Sequence, residues 1–84
     1  RFLTAKRNRF LSKARDTLTE KPAGWPRCVE LGRQIDRFET RIWPRWKDLD
    51  SPPGDPANLH RFLFYARRYG ELPTDPGHLH NLLG

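Results

Sequence analysis

Methionine is absent from this chain and cysteine occurs once, as Cys28. A lone thiol excludes an intramolecular disulfide framework and any site built on several cysteines, so a reducing, cytoplasmic setting is the simpler expectation. The lack of methionine, in a sequence that opens on Arg1, reads as one module of a longer protein. Apolar runs extend only a few residues, far short of the roughly 20 needed to cross a bilayer, and no stretch has the charged, apolar and small-residue order of a secretory leader. No segment alternates apolar and polar residues convincingly, so strands are not expected. There is also no glycine-rich phosphate loop and no nucleophile elbow. Ser12 and Ser51 have no evident base beside them, and Asp48 and Asp50 lie in a proline-rich turn where carboxylates ordinarily cap or face water. No enzymatic chemistry and no cofactor are expected.

What remains is aromatic and basic. Three Trp, five Phe and two Tyr among 84 residues supply enough apolar surface for one small core and argue against a disordered chain. A domain of this size buries only roughly 60 to 65% of the surface its unfolded chain exposes, so the core must be compact. The net charge of +6 is unevenly spread. Residues 1–47 carry thirteen Lys and Arg against five Asp and Glu; residues 48–84 carry three against five. The first part therefore holds +8 and the second −2, which points to a polyanion-facing surface in the first part. A solvated basic face is the plain alternative.

At about 100° per residue, Leu3, Phe10, Leu11, Ala14 and Leu18 share one side of a helix and Lys6, Arg9 and Lys13 another. Arg7 falls on the apolar side, where it must snorkel or find a carboxylate. The stretch KPAGWP breaks this helix, and Pro26 suits the first turn of the next. Cys28, Leu31, Ile35, Phe38 and Ile42 then form an apolar seam with Arg33, Arg37 and Arg41 opposite. Pro44 lacks a donor and clashes with the preceding turn, so the second helix is expected to end near Trp43. Trp25 and Trp43, each opening a WPR triplet, would plug the two ends of the core.

Lys47 to Gly54 is a turn-rich connector. Beyond it the chain nearly repeats itself, as DPANLHRFL (Asp55 to Leu63) and DPGHLHNLL (Asp75 to Leu83). In each copy Asp can cap a helix and Pro can occupy its first position. The third helix should run to about Tyr69, closed by Gly70 in a left-handed conformation, with Leu59, Phe62, Leu63, Ala66 and Tyr69 facing the core. A short fourth helix carries Leu79, Leu82 and Leu83. The expected fold is all-α, a small four-helix domain of two helical hairpins: a basic hairpin over 1–47, then the connector and two shorter helices over 48–84.

His60, His78 and His80 give the repeat a reactive look. On a helix His78 and His80 diverge by about 200°, however, and Cys28 lies on the core seam, so no metal site is expected. The arginine row is more telling. Like charges at i, i+4 disfavour an isolated helix by roughly 0.2 to 0.5 kcal/mol per pair. Glu30 can reach Arg33, and Asp36 or Glu39 can partly screen the others. Otherwise Arg33, Arg37 and Arg41 form a phosphate-contacting ridge, joined by Arg45 and, across an antiparallel hairpin, by Lys6, Arg9 and Lys13. Phe64, set among cations on the third helix, and Trp46 are candidate aromatic contacts for a base or a partner; Phe64 packing under helix one or the connector is the other reading.

The run YGELPTDPGHLHNLLG (Tyr69 to Gly84) resembles the helix, G-x-L-P-x-D turn and short helix of winged-helix-type domains in some phage replication proteins, over about a fifth of the chain. Those domains continue into a recognition helix and a β wing, and no functional residue is carried over. The reading that follows is a non-enzymatic nucleic-acid-binding module, with DNA preferred to RNA and no membrane partner. The alternative is an assembly domain whose basic face docks an acidic subunit of a larger complex, with Trp25, Trp43, Trp46 or Phe64 as anchor.

Overall fold

Pattern and punctuation place the helices seen in the computed structural model, which describes residues 2–83. Helix α1 spans Phe2–Asp16. Its seam buries Leu11 and Ala14, with Leu18 just beyond its end, whereas Leu3, expected on the same face, stands 56% exposed. Gly24 then takes φ 90°, a conformation that side chains resist, and delivers the chain into α2, Trp25–Arg37. Cys28, Leu31, Ile35 and Phe38 are fully buried, as their spacing requires.

The second helix does not stop at Trp43. A π turn over Phe38–Ile42 follows α2 directly, and α3, Trp43–Trp46, continues from it. The amide of Trp43 bonds back to the carbonyl of Phe38, five residues earlier, and the amide of Lys47 resumes the ordinary ladder on Trp43 at 2.9 Å. The wider turn sits just before Pro44, where its ring would clash and its missing donor would leave a gap. Pro44 thereby becomes an early residue of α3, a position it tolerates.

Helix α4 spans Asn58–Arg68 and α5 Pro76–Leu83. With α2, the π turn and α3 forming one rod, the described residues fold as four helical segments, the last short, without strands. The helices do not pair with their chain neighbours. α1 lies along α4 and the rod packs against α5, so the hairpins expected from chain order are replaced by pairings between distant segments. Two observations account for this. Leu11, Ala14, Leu63, Phe64 and Ala66 join one core cluster with Leu31, Ile35 and Phe38. Gly32 also lets α2 approach the Thr74 backbone more closely than any side chain would permit. The result measures 32 × 30 × 18 Å, with Phe38 and Phe64 its largest fully buried side chains.

The two copies of the repeat open differently. Asp75 caps α5, its Oδ2 accepting from the amide of His78 at 2.9 Å and its carbonyl from the amide of Leu79 at 3.0 Å. Asp55 does not cap α4, which starts after Ala57 without a side-chain cap. Its carboxylate meets Arg61 instead, 3.2 Å away. Six residues past Asp75 stands Asn81, which offers no such charge. Gly70 follows α4 at φ 154°, positive as expected and in a range that side chains rarely adopt, but far from the roughly +57° of a left-handed helical residue.

Candidate nucleic-acid interface

Seven cations were singled out by spacing, and they fall into separate groups. Arg33, Arg37 and Arg41 stand on the exposed side of α2 and the π turn, where with Gln34, Asp36 and Thr40 they line an open polar cleft of about 310 Å³. Arg33 reaches Glu30 at 3.5 Å, but its side chain stays 72% exposed. Glu39 does not screen the row. It turns inward to Arg67 on α4, 2.9 Å away, and the Arg67 guanidinium lies over Trp43 at 5.1 Å. Among the described residues, Arg37 and Arg41 therefore have neither an ion pair nor a side-chain hydrogen bond. Thr40 returns its hydroxyl to the Asp36 carbonyl at 3.0 Å, so it too is engaged locally. Arg45, on α3, is exposed beyond the same turn.

Lys6, Arg9 and Lys13 do not join that row. Because α1 lies on α4, their stripe borders aromatic rings. The Lys6 Nζ sits 4.9 Å from the Phe2 ring centroid and 5.8 Å from that of Tyr69. The Lys13 Nζ sits 5.5 Å from Phe10 and 5.9 Å from Phe62. Phe10 in turn stacks on Tyr69, 6.0 Å away and only 8° from parallel, and lies 5.6 Å from Tyr65. Helix α4 presents Phe62, Tyr65 and Tyr69 to α1 and His60, Phe64 and Arg67 to the rod, about half a turn round. The aromatic partners were not singled out from sequence, although Phe62, Tyr65 and Tyr69 recur at spacings of three and four.

Of the two aromatic candidates, Phe64 is withdrawn from any partner. It is fully buried, packed 5.7 Å from Trp43 and 6.2 Å from Trp46, because α4 meets α1 on one side and the rod on the other. Trp46 is half-buried against Phe38 and Phe64 and closes the core. Trp43 does the same, while Trp25 plugs nothing: it is 52% exposed, edge-on to His80.

Arg7 resolves its awkward position by a backbone acceptor rather than a carboxylate, donating to the Glu71 carbonyl at 3.0 Å. His60 packs on Phe38, and burial, then the Arg37 charge, lowers its pKa below the ordinary histidine value. Among the described residues no three His, Cys, Asp or Glu side chains are grouped to hold a metal ion, and no helix is long and apolar enough to cross a membrane. No protein-family model, curated protein or solved structure matches the chain.

Proposed function

We propose that this domain is a non-enzymatic module that binds the phosphate backbone of nucleic acid, DNA in preference to RNA, through Arg33, Arg37 and Arg41, with Lys6, Arg9, Lys13 and Arg45 adding contacts. One observation carries the reading: Arg37 and Arg41 stand exposed around a polar cleft without an ion pair among the described residues, with Asp36 the one carboxylate in its lining and Glu39 bound to Arg67 instead. Guanidinium groups suit such a ligand because the planar fork donates two bonds to one phosphate. Held a turn apart, they repel one another, and an anion between them removes that cost. Contacts of this kind position a strand without reading its sequence. A cytoplasmic location accords with the lone, buried Cys28.

The reading is tested by salt titration of binding to duplex DNA, single-stranded DNA and RNA. On duplex, the logarithmic affinity should fall with logarithmic salt at about −0.9 per phosphate neutralised. Replacing Lys6, Arg9, Lys13, Arg33, Arg37 and Arg41 by glutamine should flatten that slope, and unchanged binding by the folded variant would remove the site from these residues. The half-exposed Trp25 favours a second reading, docking to an acidic protein surface within a larger complex. There, truncating Trp25 would weaken association more than salt does, and all three nucleic acids would give flat isotherms.

A further inference from the structure

The seam between α1 and α4 carries a ladder of cations and aromatic rings that phosphate contact alone does not explain. Phe10, Phe62, Tyr65 and Tyr69 are each only partly buried, and Lys6 and Lys13 rest over them without any carboxylate partner among the described residues. From Phe2 to Lys13 the ladder runs about 17 Å along α1, at 1.5 Å per residue. Surface lysines ordinarily extend into water. Here two of them lie on ring faces, the places an unstacked base would occupy.

We infer that this seam binds the bases of single-stranded DNA, an inference that rests on the nucleic-acid reading above and names the form of its ligand. Bases stack on the rings of Tyr69, Phe10 and Phe62, while Lys6 and Lys13 swing from the ring faces to the phosphates between them and Arg9 takes a further one. Each exchange replaces a cation–ring contact by a base–ring contact and a charge-assisted phosphate bond. Single strands alone meet this demand, because a duplex hides its base faces in the stack. RNA single strands offer the same faces, so the preference for DNA is carried over from the reading above.

The test compares labelled oligothymidylate with an abasic oligomer of equal phosphate number and with a duplex, by fluorescence anisotropy at several salt concentrations. Oligothymidylate should bind at least about tenfold more tightly than the abasic strand. Tyr69→Leu and Phe62→Leu, which keep an apolar side chain in the seam, should each lower the ratio of oligothymidylate to abasic affinity; circular dichroism confirms that the variants fold. Arg37→Gln should instead lower both affinities together. Equal binding of the two strands, tighter binding of the duplex, or an undiminished advantage in the leucine variants would overturn the seam and leave the arginine row standing. Absence of binding to any of the three would overturn both.

Discussion

The guanidinium of Arg15, near the end of α1, donates from Nη1 to the backbone carbonyl of Leu83 at 2.6 Å. Its Nη2 donates to Ser12 and its Nε to Asp16, at 3.0 and 3.3 Å, so the head is held from its own helix while it reaches the last turn of α5. A helix C-terminus leaves carbonyls without partners and carries partial negative charge, and a cation there answers both. Two segments 68 residues apart are thereby tied at their ends.

Loss of that tie should be felt locally. Arg15→Gln should destabilise the domain by about 1 kcal/mol, the net worth of a typical hydrogen bond, since the guanidinium is only partly buried. Amide exchange in α5 should accelerate more than exchange in α4. Uniform acceleration, or none, would show that the Arg15 bond does not hold α5.

Gly32 tests the close approach of α2 to the turn before α5. A methyl group built there collides with the Thr74 carbonyl oxygen, a backbone atom that cannot rotate away. In an open helix interior, Gly→Ala stabilises by roughly 0.5 to 1 kcal/mol. Gly32→Ala should reverse that sign and cost about 1 to 3 kcal/mol, as overpacking does, read as a lower denaturant midpoint.

The two aspartates of the repeat should behave unequally. Asp75→Ala removes the cap of α5 and should cost about 1 kcal/mol. Asp55→Ala, at a fully exposed carboxylate paired with Arg61, should leave the denaturation midpoint where it was. Equal losses would mean that both helices depend on their aspartates alike.

His60 gives the fold a pH dependence. Its folded pKa is lowered, by burial first and the Arg37 charge second, while the unfolded chain takes up the proton at about 6.5. Between those two values the unfolded state binds more protons, so its contribution is complete above about 6.5 and is lost as pH falls towards the folded value. The denaturant midpoint should drop over that window, and His60→Gln should flatten the drop. A phosphate seated on Arg37 should raise the His60 pKa by cancelling the nearby charge. Titration of its imidazole by NMR, with and without oligonucleotide, reads this directly; no upward shift would place the phosphate away from Arg37.

How much of this could be read in advance differs by residue. Cys28, Leu31, Ile35 and Phe38 announced their burial through spacing, since one face of α2 meets the core and the rest meets water. Phe64 sat on what looked like a polar face because α4 is covered on two sides, which a single helix's periodicity does not reveal. The π turn was hidden by its own remedy: Pro44 ordinarily ends a helix, and the compensating change lies in the residues before it. The contrast between Asp55 and Asp75 was present, as Arg61 against Asn81, but depended on which carboxylate found a partner. For the site, the exposed cations were legible as charge. Of the rings beneath Lys6 and Lys13, Phe62 and Tyr69 were not, because they come from the α4 segment, and the pairing of α1 with α4 is a tertiary choice.

The π turn also sets a rotation. An α-helix advances each side chain by about 100°, so a turn that takes one more residue to close sets everything after it back by roughly that angle. Trp43 and Trp46 meet Phe38 and Phe64 only in that shifted phase. Deleting a single residue from Thr40–Arg41 would let the rod close as a plain α-helix with both indoles in the same phase, yet it would reopen the problem of Pro44. The π turn therefore absorbs one residue of excess length while holding the aim of the rod's far end, and its five residues set where Trp43 and Trp46 point.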